Sequence, residues 1–280
     1  MNHEAPLLVQ LKQFATKHDI TLPVFNDVAR QLQAASNSDT YDLSEIERSI
    51  DSDPALAAEV LRAANSAFFG GLAEIASVRA AIMRLGFKQV TNLAFMATEK
   101  NRYTARQPTI NSMMKSLWQH ASACALASEW IAKKMRYPQV AEEAFIGGLL
   151  HDIGKLFLLR VLDQMSAENP VAAACPAPLV REILKQAHAD QGYQLLQSWN
   201  LPSVYLTIVR DHHSDQLDPS NLPLVMVRLA NQACHKAGIG LDLDDTVVLA
   251  ATAEATVLGM GEVALAELEI ILEDVQSLAA

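Results

Sequence analysis

Five of the eight histidines in this chain lie between positions 120 and 213, each on or at the end of a segment with helical periodicity. They are His120 in SLWQHASAC, His151 in GLLHDIGK, His188 in KQAHADQGY, and the adjacent His212 and His213 in VRDHHSDQ. Asp152 follows His151 directly, at the end of an apolar stretch. A carboxylate drawn into such surroundings is costly unless it is paired, hydrogen-bonded or bound to a metal. Imidazoles and carboxylates projecting from separate helices are the means by which a bundle builds a metal site. Adjacent residues on a helix point about 100° apart, so His151 and Asp152 could reach one ion only over a helix end or in a groove between helices. Against this stands the plainer reading of a histidine on an apolar helix, a hydrogen-bonded core residue, which suits His120 or His188 taken alone.

The elements that must position these groups read as helices from end to end. Leu7, Leu8, Leu11 and Phe14 form an apolar stripe. TLPVF (21–25) breaks it before a second helix to about Ala35, and SNSDTYD is a loop. Asp42 with Glu45 resembles a capping box, and Asp53 followed by Pro54 is a strong helix start. Further helices are expected over about 77–85, 88–99, 110–135, through VAEEAFIGGLLHDIG, and over 178–197, 202–212, 221–236, 244–259 and 262–278. AENPVAAACPAP is read as a loop, and TARQPT (104–109) as the linker. No segment of convincing strand period appears. The expected architecture is all-α in two lobes, 1–105 and 106–280.

Composition narrows the function classes. At 280 residues, half of them hydrophobic, the chain can bury a sizeable core. The formal net charge of −10 argues against non-specific nucleic-acid binding, which rests on Lys and Arg neutralising phosphates. The first residues lack the charged and apolar regions of a signal peptide, and no run of about 18 apolar residues suggests a membrane span. A cytoplasmic protein is expected. Cys124, Cys175 and Cys234 lack CxxC spacing and read as reduced, buried small hydrophobes. No GxxxxGK[ST] phosphate loop or GxSxG elbow is present. LDLDD (241–245) reads as a helix start rather than a calcium loop. Asn65, Ser66, Phe68 and Phe69 in ANSAFFGG read either as a helix C-terminus stopped by Gly70 and Gly71 or as a partner-binding surface. Trp118, Trp130 and Trp199 read as core or lobe-interface residues. Asp211 either accepts a hydrogen bond from an imidazole and so orients it, or is a helix-end surface charge.

GLLHDIGKL resembles the signature of the HD superfamily of metal-dependent phosphohydrolases. LPVFNDVARQLQ, IERSIDSDPALAAEVLRAANSAFFG, IASVRAAIMRLGFKQVTNLA and HADQGYQLLQSWNLPSVYLTIVRDHH narrow the resemblance to the HDOD domain, a helical signalling relative of the HD-GYP phosphodiesterases. It covers roughly residues 7–235 and implies that the second lobe is a modified HD-type bundle. His120, His151 and Asp152 then occupy the first three ligand places. Asn231 stands where a fourth ligand, an Asp, is expected. His188, His212 and His213 match the histidines that hold a second metal, and Lys155 the lysine that contacts a substrate phosphate. Ser116 stands one turn before His120, where active relatives offer a carboxylate. Losing two carboxylates weakens the hold on a hard dication. The resemblance therefore implies a non-catalytic signalling module acting through a protein partner or a nucleotide-like effector. Its site would be empty or would hold one or two divalent ions (Fe, Mn, Ni or Zn). The rival is a metal-dependent phosphohydrolase, with Asp152 and Lys155 in its machinery.

Overall fold

The computed structural model describes residues 7–20, 22, 43–70, 74–169, 172 and 175–279. The helix expected to Ala35, the SNSDTYD loop, the Asp42/Glu45 capping pair and Gly71 lie outside the described residues and side chains. No strand occurs among the described residues. The chain divides into two compact units: one joins the segment up to Leu22 with Tyr103–Ala279, and the other takes in 23–102.

In the smaller unit, Leu43–Asp51 (α2) leads into Pro54–Ala64 (α3), followed by Val78–Leu85 (α4) and Phe87–Lys100 (α5). The Asp53–Pro54 start is realised as expected. Asp53 Oδ1 accepts from Ala55 N (2.9 Å) and Leu56 N (3.2 Å), while Pro54 occupies a position whose N–H has no helical partner. α3 buries Leu56, Val60, Ala63 and Ala64 and packs on α4 and α5. Asn65, rather than the glycines, ends it. The Asn65 side chain donates to Leu61 O (3.0 Å) and Ile75 O (2.8 Å), and its Oδ1 accepts from Ile75 N (2.8 Å). A single 3-10 turn, Ala67–Phe69, follows, with Phe68 and Phe69 half-buried and edge-to-face at 4.6 Å.

The larger unit is built on Pro108–Lys134 (α6), which is buried along most of its length. Its small residues Ala121, Ala123, Ala125 and Ala127 let neighbouring helices close in. Around it lie Ala141–Leu150 (α7), Ile153–Glu168 (α8), Ala177–Ser198 (α9), Ser203–Asp211 (α10), Leu222–Lys236 (α11), Ala253–Leu258 (α12) and Glu262–Ala279 (α13). α7, α8, α11 and α13 pack directly on α6. Asp163 of α8 fixes the start of α6, its Oδ1 accepting from Arg106 N (3.0 Å) and Gln107 N (3.1 Å). Leu7–Lys17 (α1) packs on α8, so this first helix belongs to the unit formed by Tyr103–Ala279 and not to that of the residues that follow it.

Two sequence expectations are corrected here. The helix expected over 244–259 begins only at Ala253. Asp244 Oδ1 instead accepts from Thr246 N (3.1 Å) and Thr246 Oγ1 (2.5 Å), a local side-chain turn that competes with helix formation, and Thr252 supplies the real N-cap. The HD doublet does not lie within a continuous helix: it is the two-residue joint between α7 and α8. The glycines on either side of it permit close approach. A Cβ on Gly148 would come within 2.7 Å of Cys124 O on α6, and one on Gly154 within 1.9 Å of His188 O on α9. No described helix is long and apolar enough to cross a membrane.

Candidate metal centre

The joint at His151–Asp152 turns both side chains into the interior of the larger unit, and Asp152 becomes the hub of a ring of imidazoles. His120 comes from α6, His188 from α9, and His212 from the residue that caps α10. His120, His151, Asp152, His188 and His212 are all buried, none exposing more than 3% of its surface. His120 Nε2 and His151 Nε2 stand 3.5 and 3.4 Å from Asp152 Oδ2 and 3.2 Å from each other. On the other side, His188 Nε2 and His212 Nε2 stand 3.4 and 3.6 Å from Oδ1 and 3.1 Å from each other. Lys155, one turn along α8, places its ammonium 2.9 Å from Oδ2.

The outer nitrogen of every ring is held by a backbone carbonyl. His120 Nδ1 donates to Ile239 O (2.9 Å), His151 Nδ1 to Gly148 O (2.7 Å), His188 Nδ1 to Leu184 O (2.8 Å) and His212 Nδ1 to Val209 O (2.9 Å). A carbonyl only accepts, so the ring proton sits on Nδ1 and each Nε2 carries a lone pair directed inward. This is the arrangement by which metal-binding histidines are oriented. Burial drives the imidazoles of His120, His188 and His212 toward the neutral form, His188 down to about 4. Burial alone would raise the Asp152 carboxyl, but the Lys155 ammonium outweighs it and holds the carboxyl well below the usual range.

The pocket therefore holds four lone pairs and a carboxylate facing one another. The close Nε2···Nε2 approaches are not hydrogen bonds, and neither Asp152 oxygen receives an aligned one among the described residues. The Lys155 ammonium meets one of these acceptors, Asp152 Oδ2, and the remaining surplus is of the kind that a metal cation could satisfy. The dimensions fit one: nitrogen or oxygen ligands about 2.0–2.1 Å from a tetrahedral ion lie about 3.3 Å apart. Each oxygen of Asp152 forms one corner of a triangle with edges in that range. The His/Asp cluster could hold a metal, and its two halves share one carboxylate.

The remaining expected residues are placed less uniformly. His213 joins Asp152, His188 and His212 within ligand reach, although its residue surface is exposed. Asn231, on α11, is buried, and its Oδ1 has no hydrogen-bond partner among the described residues. Ser116 lies one turn before His120 on α6, half-buried. Asp211 does not orient an imidazole: Arg210 grips it in a two-pronged ion pair (2.7 Å), and only its backbone carbonyl serves the site. That carbonyl and Ser214 O accept from Arg228 (3.2 and 2.5 Å), whose other face is held by buried Glu254 at 2.6 Å, so Arg228 pins the turn carrying His212 and His213. Phe68 and Phe69 belong to the other unit. Trp118 is buried against Tyr103, while Trp130 and Trp199 are half-buried.

Three residues were missed by sequence reasoning. Cys124 Sγ lies 3.7 Å from His120 Nε2 and 3.6 Å from Cys234 Sγ. The His235 ring stacks on that of His120 at 5.3 Å. The signal available was spacing: Cys124 is four residues after His120, on the same helix face.

A family model for the HDOD domain matches residues 22–215. The chain belongs to the HDOD family. An uncharacterised protein of Treponema pallidum (strain Nichols) is 27% identical over 192 residues, 66% of this chain and 36% of that protein, so the chain spans about a third of the length of that curated relative. An HDOD domain protein of unknown function from Geobacter sulfurreducens shares the fold with a TM-score of 0.74 at 18% identity, covering 97% of this chain and 96% of that one. A protein of Shewanella amazonensis SB2B, named as a candidate metal-dependent phosphohydrolase, matches with a TM-score of 0.69 at 17% identity over 100% of both chains. At these identities the two solved structures speak for the fold alone. What this HDOD chain does must be read from its own pocket.

Proposed function

We propose that this HDOD protein is a signalling module whose His/Asp pocket holds a divalent ion as a regulatory rather than a hydrolytic centre. The observation that carries the reading is the enclosure of the site. The four inner imidazoles and Asp152 are buried, and the Lys155 ammonium, which would have to meet a substrate phosphate, is buried as well and turned onto Asp152. A hydrolytic metal must activate water and polarise a phosphoryl oxygen that can reach it. Asn231 and Ser116 stand where hydrolytic relatives would supply further negative charge. His120, His151, Asp152, His188 and His212 would hold the ion, with His213 at the rim. An imidazole-rich set suits Zn²⁺, Fe²⁺ or Ni²⁺ better than Mg²⁺ or Ca²⁺. The ion ties α6, the α7–α8 joint, α9 and the α10 cap together, and the module signals through a protein partner or a nucleotide-like effector.

One observation favours the rival phosphohydrolase: two ligand triangles on a shared carboxylate are the layout of a two-metal site. The two readings separate on the metal-loaded protein given a generic phosphodiester with and without Mn²⁺. The regulatory reading expects bound metal and no turnover above that of Asp152→Ala. Metal-dependent turnover abolished by Asp152→Ala would replace it with the hydrolytic one.

A further inference from the structure

The thiols of Cys124 and Cys234 lie outside the His/Asp set yet border it. Both side chains are fully buried, one on α6 and the other on α11. Cys124 Sγ is 3.6 Å from Cys234 Sγ and 3.7 Å from His120 Nε2, and the three ligand atoms lie within 4.8 Å of one another. Thiolates about 2.3 Å from a tetrahedral ion lie about 3.8 Å apart, and a thiolate and an imidazole nitrogen about 3.6 Å apart. Two separations in this cluster match those edges before any side chain moves.

The His120 ring is also held where it can serve either group. Its Nδ1 donates to Ile239 O, and Gly240 lies against it with φ +121. A Cβ at position 240 would come within 3.0–3.1 Å of the His120 Cβ, Cγ and Nδ1. His235 stacks on the ring in near-parallel fashion. The Nε2 lone pair that faces Asp152 is thus the same one that faces Cys124.

We propose that Cys124, Cys234 and His120 form a second, thiolate-rich site for a soft d¹⁰ ion such as Zn²⁺, Cd²⁺ or Cu⁺, and that it competes with the His/Asp pocket for His120. Binding a dication there releases the two thiol protons to solvent and leaves a neutral two-thiolate, one-imidazole complex with a fourth position open. Because one imidazole cannot donate the same lone pair to two ions, filling the thiolate site removes one ligand from the neighbouring pocket. Thiophilic ions favour the sulfur set, whereas Mn²⁺ has little affinity for it. The competition rests on the His/Asp pocket holding its own ion; the thiolate site does not.

The test uses the full chain, reduced and stripped of metal. Titration with Co²⁺ should give a thiolate-to-cobalt charge-transfer band in the near ultraviolet. The band should be lost in Cys124→Ala and Cys234→Ala and kept in Asp152→Asn and Cys175→Ala. Circular dichroism, together with the weaker cobalt ligand-field bands of the His/Asp pocket, shows that the alanine variants remain folded. In a second arm, protein loaded with Mn²⁺ is titrated with Cd²⁺, and free Mn²⁺ is read by electron paramagnetic resonance. Release should need about tenfold less Cd²⁺ in the wild type than in the Cys124→Ala/Cys234→Ala double variant. A wild type that shows no thiolate band while its His/Asp pocket loads cobalt would overturn the thiolate site. So would a band that survives loss of Cys124 or Cys234, or one that requires Asp152. Equal Cd²⁺ requirements would overturn the competition. A His/Asp pocket that loads none of Mn²⁺, Co²⁺ and Zn²⁺ overturns the competition and the Proposed function together, while the charge-transfer arm still decides the thiolate site.

Discussion

Two polar assemblies in this molecule invite comparison. At the end of α3, Asn65 is exposed, yet its amide is matched on both sides: it donates to Leu61 O and Ile75 O and accepts from Ile75 N. In the larger unit, Asp152 and four imidazoles are buried, yet their inner atoms are nearly all acceptors. A closed set of donors and acceptors marks a structural joint. A buried surplus of acceptors, maintained by carbonyls that hold each ring in one tautomer, marks a place for a cation.

The most severe way to break the comparison is Gly154→Ala. A methyl group there meets the His188 carbonyl at 1.9 Å, so α8 and α9 must separate and carry His188 away from Asp152. The expected loss is about 4 kcal/mol or more, with metal uptake abolished, measured by denaturant unfolding and metal analysis. An unchanged midpoint would mean that the close approach is unimportant.

The effect of the ion is of about the same size as that of the buried acid Glu99. Free Mn²⁺, which the thiolate site does not take, should at a hundredfold excess over Kd stabilise the wild type by about 2.7 kcal/mol, seen as a higher Tm, and should leave Asp152→Asn unmoved. Equal shifts in both proteins would place the ion elsewhere.

Glu99 sharpens the contrast from the other side. It is buried in the smaller unit without a ring of imidazoles, and burial, only partly offset by Arg102, pushes its carboxyl up to about 7. At Glu99 burial prevails over the Arg102 ion pair (3.1 Å) and the acid takes a proton, whereas at Asp152 the Lys155 ammonium (2.9 Å) prevails over burial and the charge is kept. The folded state therefore binds more protons than the unfolded state between the ordinary value of 4.5 and about 7. Stability should fall as pH rises through that window, by up to about 3 kcal/mol, and Glu99→Gln should flatten the dependence. A pH profile identical in both proteins would contradict this.

The smallest expected effect is that of Asn65→Ala. Losing its paired contacts with Ile75 should cost about 1–2 kcal/mol while leaving metal affinity intact, checked by urea unfolding and metal titration. A change in affinity would erase the distinction between the two assemblies.

How much of this was legible in the sequence differs by level. Helix starts written in local chemistry came through, as Asp53–Pro54 shows, because an N-cap needs only its own neighbours. The histidines and Asp152 were legible as a set, since an acid at the end of an apolar stretch announces a need for compensation. Their convergence was not, because spacing along helices permits it without requiring it. LDLDD misled because Asp244 finds a nearer partner in Thr246 than a helix could offer. The cysteines were passed over because burial makes a thiol look like a small hydrophobe. Only the packing of α6 against α11 brings Cys124 to Cys234.

The most direct test is the metal content of protein purified without chelator, for the wild type and for Asp152→Asn and His188→Ala, with folding checked by circular dichroism. One or two divalent ions per wild-type chain, and a clear loss in both variants, are the expected result. A wild type that is metal-free and cannot be loaded, though folded, would contradict the metal centre.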